Sequence, residues 1–127
     1  WFLDKMVNIC RSIRDQKEEQ SNSAVKKAML YIQENFSKDI SLDEVSGQVN
    51  ISPYYFSKIF KEETGENFIE YLTRIRIEKA KEFLKQPEVS VKETGAKSGY
   101  TDPNYFSRIF KKQTDMTPSE FKTRYGK

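Results

Sequence analysis

The chain has 127 residues, 36% hydrophobic, 13% aromatic and 32% charged, with a net charge of +3. That is enough apolar and aromatic material for one compact domain or two very small ones, and too much for a disordered chain. With no histidine and a single cysteine, Cys10, an internal disulfide, His-based catalysis and imidazole metal sites are excluded.

Residues 1–14 place Phe2, Met6, Ile9 and Ile13 at helical spacing, with Leu3, Val7 and Cys10 beside them, which predicts an amphipathic helix. The apolar setting of Cys10 favours a buried thiol. Three readings of this helix stand side by side: a dimerisation or signalling helix, a remnant of another core, or a helix packed on the rest of this chain. The polar stretch DQKEEQSNS follows and reads as a linker. The chain begins with Trp1 and shows no signal-peptide pattern. Residues 1–22 are therefore expected to be a linker or signalling segment, and the whole chain a piece of a larger protein. No apolar run approaches the roughly 18–20 residues of a membrane span, so no membrane contact is expected, and the single cysteine makes a reducing compartment, the cytoplasm, the expected location.

A helix is predicted over 24–36, with Ser23 as N-cap and Val25, Ala28, Met29, Ile32 and Phe36 on its buried face. Ser41 and Glu44 have capping-box spacing ahead of a short helix near 42–48 carrying Leu42, Val45 and Val49. After a turn at Asn50-Ile51, Ser52 caps a helix whose first residue is Pro53, where the missing N–H costs nothing. It runs to about Glu63, and Gly65 stops it. The longest periodic segment spans about 68–85, with Phe68, Tyr71, Leu72, Ile75, Ala80, Phe83 and Leu84 apolar. At 1.5 Å per residue it forms a rod of roughly 27 Å. Pro87 follows it. The pattern then recurs: Ser90 with Glu93, a turn at Gly99-Tyr100, and Thr101-Asp102-Pro103 opening a helix to about Gln113. A last helix starts after Thr117-Pro118 and ends near Tyr125.

The recurrence is a repeat. Residues 52–65 align with 102–115 at eight of fourteen positions, and PYYFSKIF returns as PNYFSRIF. Upstream the offset falls to 49, because the second turn holds one extra residue. Each copy is a short helix, a turn of three or four residues and a second helix, the helix-turn-helix arrangement whose second helix commonly enters the DNA major groove. Tyr55, Phe56, Ile59 and Phe60, and Tyr105, Phe106, Ile109 and Phe110, are expected on the apolar faces. The other face carries Tyr54, Ser57, Lys58 and Lys61 in one copy and Asn104, Ser107, Arg108 and Lys111 in the other. Arg suits guanine O6/N7 and Asn suits adenine N6/N7. The basic residues are skewed towards the C-terminal end, with seven from Lys97 onward against three acids. Such a skew fits a polyanion partner.

The stretches SPYYFSKIFKEETG and GYTDPNYFSRIFKKQTDMTPSEFKTR resemble the AraC/XylS-type DNA-binding domain, over residues 24–126. The resemblance implies an all-α domain of seven helices: two helix-turn-helix units, here about 24–66 and 86–126, joined by a long linker helix at about 68–85. Together with the N-terminal helix this is the expected fold, with the domain at 23–127. It implies a bacterial transcription regulator, not an enzyme, with double-stranded DNA and RNA polymerase as partners and an upstream sensor or receiver domain. No cofactor or metal is expected. Carried across by position, Tyr54, Ser57, Lys58, Asn104, Ser107 and Arg108 would read bases, while Pro103 shapes a helix start. Phosphate contacts are expected from Ser52 and Thr101–Asp102 at helix N-termini and from Lys61, Arg74, Arg76, Lys111 and Lys112, with Lys79 a further candidate. Thr94 and Gly95 depart from the aliphatic residue and Ala usual there, and a Gly within that short helix costs about 1 kcal/mol relative to Ala. The rival reading is a helical protein-interaction module without DNA readout.

Overall fold

The computed structural model describes residues 23–126, which hold seven helices and no strand. The first, α1, covers residues 23–35. It is followed by α2 (Leu42–Gln48), α3 (Pro53–Thr64), α4 (Phe68–Leu84), α5 (Val91–Lys97), α6 (Pro103–Thr114) and α7 (Pro118–Tyr125). The helix expected over residues 1–14, and the linker after it, lie outside the described residues.

Local chemistry sets the helix starts. Ser41, Ser52, Asn67, Ser90, Asp102 and Thr117 each accept a backbone N–H of the helix they precede, a cap worth about 1 kcal/mol apiece. Pro53, Pro103 and Pro118 occupy first turns, where their lost donor is harmless. Ser23 is already helical, so it is not the cap the sequence suggests. The repeat extends to the helix ends. Thr64 Oγ1 donates to the Phe60 carbonyl at 2.7 Å, and Thr114 Oγ1 to the Phe110 carbonyl at 2.8 Å. Gly65 (φ 79°) and Asp115 (φ 63°) then turn the chain through left-handed backbone.

Two separate cores are built on one rod. The first gathers Val25, Ala28, Ile32, Val45, Phe56, Ile59 and Phe60 with Phe68, Tyr71 and Leu72 from the N-terminal half of α4. The second gathers Phe106, Phe110, Phe121 and Tyr100 with Ile77, Ala80 and Leu84 from its C-terminal half. Edge-on rings knit each core: Phe60 meets Tyr71 at 5.3 Å, and Phe110 meets Phe121 at 5.5 Å. The apolar faces of α3 and α6 are narrower than the sequence suggests, because Tyr55 and Tyr105 are 44% and 47% exposed. Each precedes the buried phenylalanine by about 100° of helical turn, at the rim of the stripe. Ile77, which the apolar pattern of α4 left out, is buried, while Ile75 and Phe83 are half-buried.

Candidate nucleic-acid interface

The second helices of the two units carry the candidate site. On α3 the buried Phe56, Ile59 and Phe60 fix the helix roll. That roll leaves Tyr54 83% exposed and presents Lys58 and Lys61 to solvent, with Ser57 half-buried. On α6 the buried Phe106 and Phe110 act likewise. Asn104, Arg108, Lys111 and Lys112 are exposed and Ser107 is half-buried. The six expected base readers thus fall on two repeat-related faces, each on a helix clamped from behind by its own core.

The cations divide sharply. Arg74 pairs with Glu66 at 2.9 Å and lies over the Tyr71 ring. The hydrogen bond that Arg74 donates to the Glu66 carboxylate pushes the guanidinium pKa further up. Arg76 donates from Nε to the Phe36 carbonyl at 2.8 Å and from its terminal nitrogen to the Lys38 carbonyl at 2.9 Å. Lys79 pairs with Glu82 and Lys81 with Glu78. Lys97 and Arg124 sit over the Phe83 and Tyr125 rings. Lys122 donates to the carbonyls of Leu84 and Gln86, closing the C-terminal end of α4. By contrast, no described residue pairs with Lys58, Lys61, Arg108, Lys111 or Lys112. Lys26, Lys27, Lys38, Lys85 and Lys92 are exposed as well, but they are scattered over other elements. The expected phosphate contacts therefore separate: Lys61, Lys111 and Lys112 are free to meet an anion, Arg74 already holds a carboxylate, and the Arg76 fork is spent on backbone carbonyls.

The helix N-termini also differ. Exposed Ser52 caps α3 with a neutral hydroxyl, which accepts the Tyr55 N–H at 3.3 Å. Asp102 caps α6 with a carboxylate that accepts the Asn104 N–H at 2.9 Å, beside exposed Thr101. A neutral cap leaves the positive end of the helix dipole for an incoming anion, whereas the Asp102 charge already offsets it. Gly95 makes room. It is buried, and a Cβ there would come within 3.0 Å of Phe106 Cδ2, so its lack of a side chain lets α5 and α6 approach.

The polar stripes are visible in the sequence, whereas the internal uses of Arg76 and Lys122 are not. No local pattern signals the Arg76 contacts; the crowding at Gly99, where a Cβ would lie 2.9 Å from the Arg76 Nε, exists only in the fold. Among the described residues, no cluster of carboxylates and thiols could hold a metal, and no helix is long and apolar enough to cross a membrane.

A family model described as a helix-turn-helix domain matches residues 45–124. The chain is 38% identical over 115 residues to an HTH-type transcriptional regulator in the cgkA 5′ region of Pseudoalteromonas carrageenovora, covering 88% of this chain and 68% of that one. Of the regulatory protein PocR from Salmonella typhimurium, 34% identical over 101 residues and 80% of this chain, it spans only 33%. Among solved structures, the C-terminal domain of AraT, a response regulator from Geobacillus stearothermophilus, superposes with a TM-score of 0.79 at 38% identity, over 82% of this chain and 87% of that one.

Proposed function

Because the chain belongs to the AraC-type family of helix-turn-helix transcription regulators, we propose that it is the DNA-binding output domain of such a regulator and reads two successive major-groove segments with α3 and α6. The observation that carries this reading is the pair of unpaired polar and basic faces, repeated at one register on two helices whose opposite sides are locked into cores. Arg108 is placed to grip a guanine through O6 and N7, and Asn104 an adenine through N6 and N7. Lys58 meets guanine or phosphate, Tyr54 offers a ring and a hydroxyl, and Ser57 and Ser107 add short-range contacts. Lys61, Lys111, Lys112 and the N-terminus at Ser52 hold phosphates, with Thr101 and Arg74 in lesser roles. A rod of about 25 Å between two such helices suits half-sites about one turn of DNA apart, roughly 34 Å.

Residues 1–22 would join this domain to an upstream sensor or receiver domain, a reading supported by its likeness to the C-terminal domain of a response regulator. As the output end of a bacterial regulator it would act in the cytoplasm, with RNA polymerase as its second partner. The test is the salt dependence of binding to a fluorescein-labelled 30-base-pair duplex pool. Counterion release makes log K fall linearly with log salt at about 0.9 per phosphate contacted, so Lys61→Ala and Lys111→Ala should each flatten the slope by about 1. Salt-insensitive binding, or none, would favour a protein-interaction module instead.

A further inference from the structure

Arg76 stands at the seam between the two cores. Leu72, four residues before it, belongs to the first, and Ile77, one residue after it, to the second. Its fork holds the carbonyls of Phe36 and Lys38, just beyond α1, and Phe36 packs on the core that seats α3. The guanidinium carbon lies 5.2 Å from the centre of the Tyr100 ring, within cation–π range. Tyr100 in turn contacts Phe106 at 5.5 Å and Tyr105 at 5.9 Å, both on α6. Gly99 leaves the gap: a Cβ there would lie 2.8 Å from the Phe36 oxygen and 2.9 Å from Arg76 Nε. One side chain thus ties the end of α1, the linker helix and the turn that launches α6.

We propose that the Arg76 clasp is a positioning device that sets how α3 and α6 stand to one another, and through that the half-site spacing the protein accepts. The inference rests on the DNA-binding reading above. Geometry makes it sensitive. A tilt of about 10° over a rod of about 25 Å moves its far end by about 4 Å, more than the 3.4 Å rise of one base pair. The bond between the units therefore discriminates spacing, although Arg76 itself touches no base.

The test is selection from a randomised duplex library with the 127-residue chain, comparing wild type with Arg76→Lys and Arg76→Met. Lysine keeps the stem and the charge but reaches only one of the two carbonyls, and it is the milder change for folding. Wild type should enrich one spacing. Both variants should enrich the same half-site sequences at two or more spacings, more broadly for methionine, and bind the wild-type site about tenfold more weakly. Their affinity for a duplex carrying one half-site should be unchanged. A single, unaltered spacing with both variants overturns the clasp, and if the methionine variant loses its helical circular dichroism the lysine variant alone decides. Failure of the wild type to enrich any two-part site would instead sink the DNA-binding reading.

Discussion

Gly99 offers a sharp test of how the fold is held, because the repeat supplies its own control. The equivalent residue in the first turn is Asn50, which also has positive φ, 57° against 99°. A left-handed backbone alone is thus met by asparagine in this architecture, and asparagine tolerates it better than other side chains. What separates the second turn is crowding by the Phe36 carbonyl and the Arg76 guanidinium. Neither yields cheaply, since one is backbone and the other is anchored at two carbonyls. Displacing either loses a hydrogen bond to a charged group, about 1.5–3 kcal/mol. Gly99→Asn should therefore cost about 2–4 kcal/mol, and Gly99→Ala about 3–5 once the backbone cost for alanine is added. Gly65→Ala provides the reference: φ is 79° and nothing lies within 4 Å of the added Cβ, so it should cost only about 1–2 kcal/mol. Urea unfolding followed by circular dichroism at an unchanged m-value reads these differences. A domain of about 100 residues loses about 4–8 °C in Tm per kcal/mol. If Gly99→Asn proves no more damaging than Gly65→Ala, the close approach does not constrain the fold and the reasoning fails.

Three further outcomes follow from the packing. Ser98 is fully buried and its hydroxyl has no hydrogen-bond partner among the described residues, where the first unit has Val49, so Ser98→Ala should be neutral or stabilising by up to about 1 kcal/mol in the same urea assay; a loss of stability would reveal an unseen partner. Phe110→Ala should cost about 3–5 kcal/mol and, because the cores are separate, native-state hydrogen exchange should quicken in α5–α7 well before α1–α3; uniform loss of protection would contradict two cores. Burial raises the pKa of Tyr100, with Arg76 opposing the rise. A raised tyrosine favours its neutral form in the fold, so its contribution is fully present below the unfolded pKa of about 10 and is lost as pH climbs through the folded value. Tyr31, which donates to the Glu44 carboxylate, is raised as well, so ultraviolet titration should find two late-ionising tyrosines of which Tyr100→Phe removes one, and an unchanged count in that variant would assign the group elsewhere.

The helices were legible because their signals are local. Ser41 and Ser90, each followed three residues on by Glu, and Pro at 53, 103 and 118 mark starts within a few residues of where they occur. The repeat made the faces legible too, since Phe56 and Phe106 could be assigned together. What stayed hidden depends on residues far apart in the chain. Arg76 lies in a charged stretch of α4, and only the fold brings it to a carbonyl forty residues earlier. Arg74 finds Glu66 two turns away across the start of α4, and Lys122 finds carbonyls more than thirty residues back. Periodicity locates a face but not its rim, which is why Tyr55 and Tyr105, expected on the apolar faces, are half-exposed. Ser98 is polar in sequence and buried in the fold for the same reason: its surroundings come from elsewhere in the chain.

The most direct test of the central reading is library selection and sequencing with wild type, Lys58→Ala and Arg108→Ala. Two readers on one rod predict a bipartite wild-type site with half-sites about ten base pairs apart, and relaxation of a single half in each variant, at about 1–3 kcal/mol for the arginine. If no sequence is enriched, or if neither substitution changes the enriched site, the exposed faces of α3 and α6 do not read DNA and the account is wrong.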